Sequence, residues 1–250
     1  MNLEGKKAVI TGGNSGIGFA TAARLKERGA EVIITGRSED RINSAANELG
    51  VKGVIADVSS VEAIDSLVSQ VQETFEKIDI LFVNAGIFAP GEVGNILEPE
   101  FDKQMGINFK GAVFTIEKFL PLMNEGGSII SLSSVNANAG MSNTSIYSAS
   151  KAALNAYTRV AATELAGRKI RVNSVNPGPV STPIFSKTGM PEEQLNSFAE
   201  AMQERVPLKR FGEPGDIANL IAFLVSDEAS FITGAEYNID GGININPLVG

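Results

Sequence analysis

The sequence predicts a single doubly wound α/β domain, a parallel sheet of about seven strands with helices on both faces. Three observations predict it. Short β-branched runs alternate with longer amphipathic stretches along all 250 residues. The runs are apolar at successive positions, as strands covered on both faces of a parallel sheet must be. Each strand–helix–strand unit has the length of a right-handed crossover.

Lys7–Thr11 reads as the first strand, followed by a helix over 16–28. Glu31–Thr35 and a helix over 38–49 form the next unit, then Gly53–Ala56 with a helix over 60–76. Ile80–Val83 leads into one long helix over 98–123, and Ser128–Ser131 into a helix over 148–166. Arg171–Val175, a helix over 214–226 and Glu236–Ile239 complete the sheet. Residues 183–212 are the least regular stretch, with Pro183, Gly189, Pro191, Pro207 and Gly212 among the apolar Ile184, Phe185, Met190, Phe198, Met202 and Phe211. An apolar irregular insertion late in such a fold reads as a substrate lid. No repeat, charge tract or Pro/Gly-rich linker divides the chain, so residues 1–250 are expected to form one domain.

Composition narrows the chemistry. The net charge of −8 argues against nucleic acid or an anionic membrane surface as partner. No run of about 18 apolar residues implies a membrane span. Met1-Asn-Leu-Glu-Gly-Lys-Lys leads directly into the first strand and does not read as a signal peptide, so a cytoplasmic location is expected. The chain has no His and no Cys. That excludes His-dependent serine triads, Cys–His nucleophiles, disulfides and thiolate metal sites, and no metal is expected.

The turn after the first strand, Thr11-Gly12-Gly13-Asn14-Ser15-Gly16-Ile17-Gly18, suits a dinucleotide. Glycines let the backbone approach a pyrophosphate, and the helix N-terminus that follows stabilises the anion. The residue that selects the coenzyme should end the second strand, where a carboxylate would accept from the adenosine ribose. Here Gly36 stands in that place and Arg37 follows it. A guanidinium grips a 2′-phosphate through two parallel bonds, which favours NADP(H), with NAD(H) as the alternative and an exposed surface cation as the plain reading of Arg37. Asp57, after the third strand, either contacts the adenine amino group or caps a helix.

Ser134, Tyr147 and Lys151 carry the proton chemistry. Tyr147 and Lys151 stand four residues apart, one helical turn on the same face. An ammonium beside a phenol favours the phenolate, and lowering the Tyr pKa by about 3 units corresponds to roughly 4 kcal/mol. A tyrosine tuned this way exchanges protons with an alcohol or ketone near pH 7.

Together these segments resemble the short-chain dehydrogenase/reductase family over nearly the whole chain. The resemblance rests on the glycine-rich turn, Asp57-Val58, Asn84-Ala85-Gly86, Asn108, Ser134, Tyr147-x-x-x-Lys151, Pro177-Gly178-Pro179-Val180-Ser181-Thr182-Pro183 and Asp240-Gly241-Gly242, in the family's order and spacing. It implies a Rossmann fold, with Tyr147 as acid/base and Ser134 holding the substrate oxygen. It also implies that Lys151 binds the nicotinamide ribose and lowers the Tyr147 pKa, and that Asn108 supports a water-linked proton relay. Ser133 is the neighbour that competes with Ser134, and the thirteen-residue spacing to Tyr147 favours Ser134.

On the same resemblance, Thr182 contacts the nicotinamide carboxamide and Val180 offers backbone groups, beside Pro177 and Gly178. Asn84-Ala85-Gly86 passes close to the coenzyme, with Asn84 also read as a tie between strands. The substrate pocket is expected from Ser134, Asn136, Met141, Tyr147, Ile87, Phe88, Ile184, Phe185 and Met202, a mostly apolar set suited to a hydrophobic ketone or alcohol. The Met and Phe residues read equally as core or subunit contacts.

Three enzyme readings follow: a carbonyl reductase or alcohol dehydrogenase, a 3-oxoacyl-carrier-protein reductase, and a sugar dehydrogenase. Arg168 and Lys169 are the cations available to an acidic carrier, because the loop before the Ser134 strand, Asn124-Glu125-Gly126-Gly127-Ser128, offers none. A cofactor-binding regulator is the reading outside catalysis. Family members are usually tetramers or dimers built on the two long helices, here 98–123 and 148–166, so a homotetramer or homodimer is expected. The second helix carries Ala152, Ala153, Ala156, Ala161 and Ala162, read either as subunit contacts or as packing on its own sheet.

Overall fold

The computed structural model describes residues 1–182 and 192–245, with residues 192–196 and 198 by backbone alone. The β-branched runs form β1 (Lys7–Thr11), β2 (Glu31–Gly36), β3 (Lys52–Ile55), β4 (Ile78–Val83), β5 (Met123–Leu132), β6 (Arg171–Pro177) and β7 (Glu236–Ile239). These lie in one parallel sheet in the order β3-β2-β1-β4-β5-β6-β7. The amphipathic stretches form α1 (Gly16–Glu27), α2 (Glu39–Leu49), α3 (Val61–Phe75), α4 (Glu98–Met105), α5 (Gly111–Phe119), α6 (Ser145–Leu165), α7 (Glu192–Arg205) and α8 (Pro214–Leu224). No described helix is long and apolar enough to cross a membrane.

Successive strand residues point to opposite faces, so each apolar strand feeds two cores. On one face Ile10, Ile34, Phe82 and Val175 pack with Leu25 of α1, Ile42 of α2 and Ile217 and Ile221 of α8. On the other, Val9, Ile33, Leu81 and Val172 pack with Leu67 and Val71 of α3, Phe119 of α5 and Leu154 of α6. Truncating a buried ring such as Phe82 to Ala costs about 3–5 kcal/mol.

The sequence reading needs correction in four places. The single helix expected over 98–123 is α4, a π-helical turn at Gly106–Lys110, and α5, and Met123 already pairs with Ile78 in the sheet. Just after this turn Gly111 marks a close approach, since a Cβ there would lie 2.5 Å from the Val58 carbonyl oxygen. Asn124–Gly127, expected as a loop, lie inside β5, where the register slips between Ile78↔Met123 and Ile80↔Ser128. Helix α6 begins at Ser145, which puts Tyr147 inside its first turn. The stretch read as irregular contains α7, which accounts for residues 192–205 of it. The lid residues Ile184, Phe185, Gly189 and Met190, and the tail beyond Ile245, lie outside the described residues.

Strand order reverses between β1 and β4. Connections leave the carboxyl ends of these neighbours toward opposite faces, which opens a crevice there.

Candidate active site

The crevice is a cleft of about 610 Å³ at the carboxyl ends of the strands. The β1–α1 turn contributes Gly12, Asn14, Ser15, Gly16 and Ile17, and the end of β2 contributes Gly36 and Arg37. Asp57 and Val58 follow β3, Asn84, Ala85 and Gly86 follow β4, and Thr182 closes one end. These residues, separated by up to 170 positions, were expected together from the sequence.

The turn is shaped by contacts that leave no room for side chains. A Cβ on Gly12 (φ +65°) would lie 2.8 Å from Asn84 Nδ2, and one on Gly18 would lie 2.4 Å from the Gly12 carbonyl oxygen. Gly18 therefore sits beneath the turn and is absent from the cleft wall. Asn84 donates from Nδ2 to the carbonyls of Thr11 (2.8 Å) and Gly12 (3.0 Å), and Thr11 Oγ1 accepts from the Asn84 and Ala85 amides. Its side chain thus ties β4 to β1, which answers the architectural half of the sequence reading.

The expected coenzyme residues Pro177, Gly178 and Val180 also stand outside the cleft wall. Pro177 ends β6. Gly178 passes so close to β7 that a Cβ would lie 2.7 Å from Asp240 Cα. Val180 is buried in the core and its neighbour Ser181 donates its amide to the Gly212 carbonyl at 2.9 Å. Asp57 does not cap α3: Ser60 does, accepting from the Ala63 amide. Asp57 instead accepts from the Ser59 amide and hydroxyl at 2.9 and 2.7 Å. Burial works to raise its pKa, and the Ser59 bonds with the nearby Arg37 charge outweigh that and hold it below the ordinary value.

Ser134, Tyr147 and Lys151 gather at the end of the cleft, behind Gly86, Phe88 and Leu132. Lys151 Nζ donates to the Leu132 carbonyl at 2.7 Å and lies 5.8 Å from the Tyr147 ring centroid. The Ser134 side chain faces the Tyr147 hydroxyl closely enough to act on its pKa. The Phe88 ring meets the Tyr147 ring edge-on, with centroids 5.2 Å apart. Ser133 turns away and donates to the Lys151 carbonyl, which separates it from Ser134. Tyr147 and Lys151 do not themselves line the cleft.

The electrostatics differ from the sequence expectation. Burial raises the Tyr147 pKa above its ordinary 10, with the Ser134 side chain acting in the opposite direction. Lys151 is itself buried, and that pushes its pKa down to about 8. The arrangement therefore keeps the phenol protonated at neutral pH, ready to donate to a carbonyl oxygen.

Asn108 is 1% exposed and its amide is committed: Oδ1 accepts from the Ile87 amide (2.8 Å), and Nδ2 donates to the Ile87 carbonyl (2.9 Å) and to Ser150 Oγ (3.2 Å). Among the expected substrate residues, Asn136 donates its amide to Ser134 Oγ at 3.2 Å. Met141 is exposed beside the start of α6, and Met202 is half-buried on α7.

Sequence reasoning missed Arg41 and Lys103, which line the same cleft as Arg37. Arg41 stands in the first turn of α2, four positions after Arg37. Lys103 carried no signal, because its segment read as one unbroken helix.

The family model described as enoyl-(acyl carrier protein) reductase matches residues 12–244. A 3-oxoacyl-[acyl-carrier-protein] reductase of Thermotoga maritima is 38% identical over 252 residues, covering 98% of this chain and all of the relative. The crystal structure of levodione reductase superposes with a TM-score of 0.93 at 33% identity, over 98% of this chain and 99% of that one. A 3-ketoacyl-(acyl-carrier-protein) reductase from Brucella melitensis, complexed with NADH, superposes with a TM-score of 0.90 at 33% identity, over 97% and 100% of the two chains. With this fold and these matches along nearly its whole length, the chain belongs to the short-chain dehydrogenase/reductase family and is an NAD(P)-dependent oxidoreductase acting on CH–OH groups.

Proposed function

We propose that this protein is an NADP(H)-preferring carbonyl reductase that interconverts apolar ketones and secondary alcohols, with Tyr147 as the acid/base. The observation that carries the reading is the buried phenol of Tyr147 beside the Ser134 side chain, with Lys151 Nζ 5.8 Å from its ring centroid. The cleft fits a dinucleotide, because Gly12 and Gly18 bring backbone where any Cβ would collide. Residues Gly12–Ile17 would hold the pyrophosphate, Asn84–Gly86 would flank the nicotinamide half, and Arg37 would meet the 2′-phosphate. The coenzyme, when bound, supplies the hydride.

Ser134 and Tyr147 hold the carbonyl oxygen by donating hydrogen bonds, and Tyr147 gives it the proton. Lys151, anchored on the Leu132 carbonyl, holds a positive charge near the phenolate left behind below about pH 8. Asn108 braces the wall beside them through Ile87. Phe88 supplies the apolar surface next to the proton donor. Proton donation by a positioned side chain contributes about 10²–10⁴-fold. Tyr147→Phe should therefore lose at least a hundredfold in turnover while its affinity for NADPH, titrated by fluorescence, stays within threefold. Normal turnover in that variant would sink the assignment.

The preference for NADP(H) rests on charge. Arg37, Arg41 and Lys103 line the cleft against Asp57, the one acid there among the described residues, in a chain of net charge −8. No carboxylate stands at the end of β2, where Gly36 leaves only backbone. The carrier-protein reading has the relatives on its side and the surface against it. Arg168 donates to the carbonyls of Leu120 and Met123, and Lys169 pairs with Glu125 at 2.8 Å. Both precede β6, at the amino end of the sheet, away from the cleft.

Assembly as a homotetramer or homodimer draws support from exposed apolar residues on the expected helices. Leu97 and Phe101 are exposed at the start of α4, and Ala156 and Val160 on α6. Ala161 and Ala162 instead pack into their own core. Light scattering on the eluting protein tests this: a monomer mass would overturn it.

A further inference from the structure

Gln104 is 3% exposed, and no role described so far uses it. Its Oε1 accepts from the Ala89 amide at 2.8 Å and its Nε2 donates to the Ala89 carbonyl at 3.3 Å. One turn further on, Asn108 makes the same two bonds with Ile87. The match has a simple geometric basis. Residues four apart on a helix are separated by about 6 Å along its axis, and residues two apart on an extended strand by about 6.6 Å. Two amides at i and i+4 therefore reach alternate residues of an extended segment, as a neighbouring strand would.

The residue between the two rungs is Phe88, whose ring stands at 88° to that of Tyr147. Ile87, Phe88 and Ala89 all line the cleft. Beyond them the Gly91 amide donates to the Asn143 carbonyl at 2.9 Å, tying the segment to the loop before α6. The sheet does not hold this segment, because β4 ends at Val83. Asn108 fixes its inner end, and Gln104 fixes the end that faces outward from Phe88.

We infer that Gln104 is a positioning residue for the carbonyl substrate: by pinning Ala89 it holds Phe88 against Tyr147 and sets the width of the pocket at the proton donor. The inference rests on the ketone-reductase reading, and its test separates the two.

Gln104→Met keeps the length and burial of the side chain and removes both bonds. In the full chain it should raise KM for an aryl methyl ketone at least fivefold, with kcat changed less than twofold and NADPH affinity within twofold. Hydrogen exchange of the peptide spanning residues 86–91, followed by mass spectrometry, should quicken at least tenfold. General loosening of the fold would instead lower kcat and the melting temperature together. Gln104→Glu adds a readout by pH. As a carboxylate it cannot donate to the Ala89 carbonyl, and as a neutral acid it reproduces both bonds. Its KM relative to wild type should fall toward unity as the pH drops from 8 to 5.5. Unchanged KM and unchanged exchange in Gln104→Met overturn the inference. If that variant melts too early to assay, a pH-independent KM ratio in Gln104→Glu overturns it. A wild-type protein that reduces no ketone defeats the proposed function alone, and the exchange comparison still judges Gln104.

Discussion

Replacing Lys151 by Met should stabilise the fold at neutral pH and lose that advantage in alkali. Lys151 is 4% exposed, and burial pushes its pKa from 10.5 to about 8. Between these two values the unfolded chain binds the extra proton, so the Lys151 contribution to stability rises with pH through that window. Below pH 8 the buried ammonium destabilises the fold by its full amount, about 3 kcal/mol for a gap of this size. The substitution also removes the 2.7 Å bond to the Leu132 carbonyl. Leaving that oxygen unpaired costs about 1–3 kcal/mol at any pH, so it cancels when one variant is compared at two pH values. Urea unfolding of both proteins at one fixed concentration measures the effect. The stability of Lys151→Met relative to wild type should drop by about 2–3 kcal/mol between pH 7 and pH 10. A relative stability constant to within about 1 kcal/mol across that range refutes the buried-ammonium argument.

Two further substitutions probe the coenzyme end of the cleft. Gly36→Asp with Arg37→Ala should move the ratio of kcat/KM values toward NADH by at least tenfold. A Cβ at Gly36 meets only the ends of two side chains, Asn14 Oδ1 at 2.9 Å and Ile42 Cδ1 at 3.1 Å, so the fold should accept it. An unchanged coenzyme ratio counts against Arg37. Gly18→Ala drives a methyl to 2.4 Å from the Gly12 carbonyl oxygen, against backbone that cannot step aside. It should weaken NADPH binding at least tenfold in a fluorescence titration, and binding at wild-type strength would show that the turn does not hold the coenzyme.

The strands were readable because their signal is local. Lys7–Thr11 and Glu236–Ile239 are bounded by the composition of those few residues, and the structure has the same limits. The glycine-rich turn and the proximity of Tyr147 and Lys151 were readable for a related reason, since each is a fixed spacing next to one element. The π-helical turn was not, because nothing in the composition of Gly106–Lys110 separates it from ordinary helix. The sign of the Tyr147 shift was not readable either. The four-residue spacing shows an ammonium near a phenol, and only the tertiary structure shows that both are buried. Helix α7 did leave a trace in Leu195, Phe198 and Met202, spaced three and four apart, which the surrounding Pro and Gly obscured. Gln104 looked like any polar residue on a helix, and its role emerges only from what Ala89 needs.

The proposed enzyme is a ketone reductase that uses a protonated Tyr147 and prefers NADP(H). Initial rates of coenzyme oxidation with an aryl methyl ketone at pH 7, with NADPH and NADH measured side by side, test it most directly. Turnover with NADPH is expected at a kcat/KM at least tenfold above that with NADH. Equal or faster turnover with NADH would contradict the assignment of the Arg37 end of the cleft, and no turnover with either coenzyme would contradict the ketone as substrate.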